Sequence, residues 1–133
     1  MRIGGYDGGM EKRNIVQEKS YAFALLIVEF CWKMQKELKE FVLSRQLLKS
    51  GTSIGANIEE ALQARSKKDF IAKLSISLQE AHETRYWLRL LRDSVLPLEE
   101  MMKQTLQRLL RDVEEIIALL TSIIKSSKDT LEE

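Results

Sequence analysis

The chain has 133 residues, of which 44% are hydrophobic and 31% charged, with 21 Lys and Arg against 20 Asp and Glu. This composition excludes a disordered chain and a membrane-spanning one, and the near-balance of charge gives no sign of a dedicated nucleic-acid binder, which usually reads more basic. The length fits one domain, and one proline with six glycines argues for few, long helices instead of many turns.

Residues 1–10, MRIGGYDGGM, hold four of the six glycines and read as a flexible leader. The first helix is predicted to begin near Glu11 to Ile15. Val16, Ser20, Phe23, Ile27, Phe30 and Met34 recur at three- and four-residue steps and share one face. Ala22, Leu25, Leu26 and Val28 broaden that face, which predicts burial on more than one side. No Gly or Pro lies between Met10 and Ser50. A single helix over residues 11–62 would be about 78 Å long, too long for a 15 kDa globule to bury, so a turn is placed near Glu37 to Glu40, where charge density rises.

The segment QLLKSGTSIGANIEEALQA, residues 46–64, carries loop-like glycines, yet Leu47, Gly51, Ile54, Ile58 and Leu62 keep one helical phase. A loop has no reason to keep phase, so one helix is predicted through Gly51 and Gly55. Each glycine weakens a helix by about 1 kcal/mol relative to Ala, which suggests that something packs close to the backbone there. Gln46, Ser50, Ser53, Asn57, Glu60 and Ala64 form a second, short and polar stripe, read first as a tight helix contact and second as a ligand-facing surface.

Ser66 is an N-cap candidate for a third helix, with Asp69 three residues on as in a capping box. Its core face runs through Phe70, Leu74, Leu78, Ala81, Leu88 and Leu91. Ile76, Tyr86, Trp87 and Leu90 lie elsewhere on the same helix, a surplus that suggests a contact with another subunit. Pro97 suits the first turn of a fourth helix, with Glu99 and Glu100 near its positive end. Met102, Leu106, Leu109, Val113, Ile116, Leu120 and Ile123 trace the core face of that helix. Residues 11–126 thus read as an all-α, antiparallel up-down four-helix bundle, and 127–133 as a polar tail.

Catalytic and metal chemistry finds little support. The only histidine, His82, follows Gln79 where a di-iron Glu-x-x-His motif needs Glu, and one Cys with one His cannot make a zinc site. GTSIGAN lacks the Gly-Lys-Ser/Thr ending of a phosphate loop. Cys31, between Phe30 and Trp32, reads as a buried thiol. No cofactor, metal or catalytic residue is expected. The longest apolar run, Tyr21 to Val28, is far short of the roughly 20 residues of a membrane span, and with no signal peptide the protein is expected in the cytoplasm.

From Lys67 to Arg92, six bases (Lys67, Lys68, Lys73, Arg85, Arg89, Arg92) oppose three acids. Arg85, Arg89 and Arg92 share one face. These six are the nucleic-acid-binding candidates, to be weighed against a solvated face paired with Glu99, Glu100, Glu114 or Glu115.

QLLKSGTSIGANIEEA followed by SKKDFIAKLSISLQEAHETRYWLRLL resembles the four-helix bundle proteins of the 23S rRNA intervening-sequence family, over roughly residues 14–125. The pattern falls in order on Gln46, Ser50, Ser53, Ile54, Ala56, Asn57, Ile58 and Glu60. Gly55 and Ala61 depart from it, where many members have Pro and Gly, and both changes favour an uninterrupted helix. The resemblance implies a ring-like homo-oligomer, typically a pentamer, with no known catalysis. It also implies kinship with the accessory protein of diversity-generating retroelements, which binds nucleic acid and a reverse transcriptase. Three functions follow as expectations: an oligomeric adaptor for structured RNA or DNA, a protein-only scaffold, and an unrecognised enzyme.

Overall fold

The computed structural model describes residues 7–132 and holds four helices, α1 (Asp7–Leu38), α2 (Val42–Leu62), α3 (Lys67–Asp93) and α4 (Glu100–Glu132). Helix α1 packs on α2 and α4, and α3 packs on the same two, so the helices surround one core. Along the pairs, Lys12 meets Ser122, Lys19 meets Glu115, Gln17 meets Glu59 and Gln35 meets Ser44. Among the described residues no helix is long and apolar enough to cross a membrane.

The core follows the helical phase of the sequence. Val16, Phe23, Ile27, Phe30 and Met34 of α1 are buried, as are Leu47, Ile54 and Ile58 of α2. On α3 Phe70, Leu74, Ala81, Leu88 and Leu91 are buried, and Leu78 only partly so. On α4 every predicted core position from Met102 to Ile123 is buried.

Four expectations shift. The apolar surface of α1 is not buried on more than one side: Leu25 and Val28 are exposed by 56% and 48%, because no second layer covers them. Asp7–Met10, assigned to the leader, belong to α1, and the remaining leader, residues 1–6, lies outside the described residues. Helix α4 likewise continues to Glu132, through residues assigned to the tail, with Ser127 buried at its underside. Pro97 does not sit in the first turn of α4. It lies in the linker before Glu100, where Leu98 turns inward and donates its amide to the Leu96 carbonyl, and Glu99 supplies the first helical carbonyl, to Lys103. A proline restricts the residue before it to extended backbone, which suits that linker.

The α1–α2 turn falls where charge density placed it. Lys39 adopts a left-handed backbone (φ 56°) that ends α1. The Glu40 carboxylate then accepts the amides of Val42, Leu43 and Ser44 at 3.1, 3.0 and 2.8 Å, and the Ser44 hydroxyl donates to the Glu40 carbonyl at 2.7 Å. One side chain thereby satisfies three of the orphan amides that open any helix, at the end where negative charge is favoured. Glu40→Ala is expected to lower stability by about 1–2 kcal/mol in a urea titration, and an unchanged midpoint would contradict this role.

The α1–α2 contact rests on the two glycines that α2 runs through. A Cβ on Gly51 would lie 3.0 Å from both Cγ1 and Cγ2 of Ile27, and one on Gly55 would lie 3.3 Å from Ser20 Oγ. The backbone of α2 therefore lies directly against α1, which accounts for glycine in mid-helix. Cys31 is buried beneath this region. Burial, and secondarily the charge of Glu40, push its thiol up to about 12, so it is not an available nucleophile.

Candidate nucleic-acid interface

The six basic candidates do not form one stripe. Lys67 and Lys68 open α3, and Arg85, Arg89 and Arg92 close it, so the two groups are about 27 Å apart along the axis. Lys73 faces α2, where its ammonium donates to Glu60 Oε1 at 2.9 Å, and that bond pushes the lysine pKa up. This pair is exposed and contributes little to stability.

At the other end, Arg85, Arg89 and Arg92 line a groove between α3 and α4 with Leu110, Arg111, Glu114 and Glu115. The Arg85 guanidinium donates to Glu114 Oε1 at 3.0 Å and to His82 Nδ1 at 3.0 Å. The His82 ring thus steadies Arg85 at the surface. Arg92 donates through Nε and Nη2 to both oxygens of Asp93, at 2.8 and 3.0 Å, which holds the Asp93 carboxyl below its usual range. Among the described residues Arg89 and Arg111 make no ion pair, nor do Lys67 and Lys68. Arg111 carries no signal in the sequence, because its partnership with α3 exists only once the helices pack.

Three arginines at helical spacing and a fourth from the facing helix make a surface suited to phosphate, since a guanidinium offers a planar fork of donors. Glu114 and Glu115 on the same groove offset part of that charge.

The polar stripe of α2 divides. Gln46 is exposed, Glu60 is held by Lys73, and the Asn57 amide donates to the Ser53 carbonyl at 2.9 Å, while Ser53 donates to Lys49 at 2.6 Å. Ser50, Ile54 and Ile58 are buried. The Thr84 hydroxyl donates to the Glu80 carbonyl at 2.7 Å and shares a 2.9 Å hydrogen bond with the Ser50 hydroxyl, and Ser77 donates to the Ile54 carbonyl at 2.8 Å. This is a tight, hydrogen-bonded α2–α3 contact, in which every buried side-chain nitrogen and oxygen among the described residues has a partner. Ser77 and Thr84 escaped the sequence analysis, although they stand at three- and four-residue steps with Leu74, Ala81 and Leu88. Thr84→Val keeps the shape but leaves Ser50 with only a 3.5 Å contact to the Leu47 carbonyl. A loss of about 1–2 kcal/mol is expected by chemical denaturation, and a neutral result would show the contact to be steric alone.

The depression beside Glu60, bounded by Gln63, Arg65, Asp69 and Lys73, is open to solvent. Among the described residues no three His, Cys, Asp or Glu side chains are grouped as metal ligands.

The family model of the 23S rRNA-intervening sequence protein matches residues 12–122. A crystal structure of a protein of unknown function from the S23 ribosomal protein family, from Bacteroides thetaiotaomicron VPI-5482, is similar at 50% identity with a TM-score of 0.78, over 86% of this chain and 98% of that one. No curated protein matches the chain.

Proposed function

This chain belongs to the 23S rRNA-intervening sequence protein family, and we propose that it works as a non-catalytic adaptor that assembles with itself and binds structured nucleic acid, RNA or DNA. The bundle is an antiparallel up-down one, a path supported by the opposite residue order of the contacts along α1–α2 and α1–α4. The assembly is a cytoplasmic ring, five copies in the form that the family resemblance implies. A reverse transcriptase or an rRNA-associated protein is its partner class.

The observation that carries nucleic-acid binding is the α3–α4 groove, where Arg89 and Arg111, without ion pairs among the described residues, stand beside Arg85 and Arg92. A single groove is too weakly charged to hold a nucleic acid. A ring repeats it, and repetition turns weak phosphate contacts into useful affinity. A mobility-shift titration of a hairpin RNA and a duplex DNA at low salt tests this. Salt-sensitive binding is expected, and no shift at micromolar protein overturns it.

One observation favours a protein-only scaffold: Lys73, Arg85 and Arg92, half of the six basic candidates, already hold acids. A partner recovered by pull-down that survives nuclease treatment would support that reading.

A further inference from the structure

The depressions on the bundle surface differ in how their charges balance. The α3–α4 groove sets Glu114 and Glu115 among its arginines, and the α1–α4 depression sets Lys19 and Arg108 against Glu29 and Asp112. The depression beside Glu60 holds more acids than bases. A fourth lies where the first turns of α1 meet the connection from α2 to α3. Arg13 of α1, Arg65 of the connection and Lys67 of α3 line it, and among the described residues no acid does. Its volume is about 290 Å³, ample for a phosphate group.

None of the three bases makes an ion pair among the described residues. Three like charges drawn into one concave site repel one another, and an anion relieves that repulsion. Arg13 is already positioned, because its guanidinium lies over the Phe70 ring, 4.3 Å from the centroid. That face of the ring is thereby taken, and a nucleobase cannot stack on it. The rest of the wall is apolar except for Ser66, whose hydroxyl already accepts the Asp69 amide at 3.0 Å. The site therefore offers charge and forked donors, and little that reads a base. The side chains make it, not the end of α3.

We propose that this depression binds a phosphate monoester group. It lies about 27 Å along α3 from the α3–α4 groove and stands apart from the nucleic-acid reading of that groove. A monoester carries close to two negative charges at neutral pH and engages three cations more fully than the single charge of a backbone phosphodiester. Two sources offer such a group: the 5′ end of a nucleic acid and a small phosphorylated molecule.

Amide resonances followed through a titration with sodium phosphate, against sodium chloride at equal ionic strength, test the proposal. Saturable shifts centred on Lys67, Lys68 and Asp69 are expected. Arg65→Gln with Lys67→Gln is expected to weaken phosphate binding about tenfold or more, and Arg13→Gln, made separately, to weaken it similarly. Circular dichroism checks that each variant keeps its helices. Arg89→Gln with Arg111→Gln, in the α3–α4 groove, is expected to leave phosphate binding unchanged. A 5′-phosphorylated RNA and its 5′-hydroxyl twin then separate the sources. Tighter binding of the phosphorylated strand, lost in the Arg65 and Lys67 variant, identifies a nucleic-acid end. Equal binding of the two strands, with phosphate still moving the same amides, identifies a small phosphorylated molecule. The absence of shifts at those amides, shifts that survive the Arg65 and Lys67 variant, or equal weakening by the groove variant overturns the site. Nucleic-acid binding at the α3–α4 groove is left standing by any of these.

Discussion

Gly51→Val is expected to remove about 3 kcal/mol or more of stability, enough to populate unfolded chain in a marginally stable domain. The first carbon added at Gly51 would already be 3.0 Å from two carbons of Ile27, a fully buried side chain that cannot swing away. Alanine there regains about 1 kcal/mol of helix propensity and so offsets part of the crowding. Valine adds two further methyls at the same place and gives most of that propensity back. The result is separation of α1 from α2, with loss of contacts along both helices. A double-mutant cycle isolates the cause. Ile27→Ala alone opens a cavity and costs about 2–5 kcal/mol, but Gly51→Val in that background should fill part of it, leaving the pair non-additive by about 2 kcal/mol. Additive losses would mean that Gly51 and Ile27 do not meet as described.

Reversing Arg89 and Arg111 to glutamate is expected to weaken RNA binding by about tenfold or more at low salt, and to flatten the salt dependence by about two units of log–log slope per bound chain. Both side chains are exposed and without ion pairs among the described residues, so folding stability should move by no more than about 0.5 kcal/mol. Arg45→Glu with Lys49→Glu on α2 changes the net charge equally and serves as the control. If both pairs weaken binding alike, the protein attracts nucleic acid only through its overall charge, and the α3–α4 groove has no special part.

How far the sequence led depended on the range of the interaction. Helical phase is local, so the stripes from Val16 to Met34 and from Met102 to Ile123 were legible before any coordinates. So was the unbroken α2, because Leu47, Gly51, Ile54 and Ile58 keep phase across the glycines. The close approach at those glycines was legible as a need, though not its partner: Ile27 and Ser20 lie on another helix. Leu25 and Val28 were misread because an apolar residue records only that some surface covers it, and within one chain nothing does. Pro97 was misplaced because a proline suits the first turn of a helix and the extended residues before it about equally well. The candidate site suffered most. Arg85, Arg89 and Arg92 were visible as a cluster, but Arg111 joins them only across the α3–α4 contact. The acids that hold Arg85 and Lys73 likewise come from neighbouring helices.

The account depends most on self-assembly, since a lone groove is too weakly charged to hold a nucleic acid. The measurement that tests it most directly is the solution mass of the purified chain by light scattering across a concentration series. A stable multiple of the 15.4 kDa chain is predicted, about 77 kDa for a five-membered ring. A mass of 15.4 kDa at every concentration would contradict it.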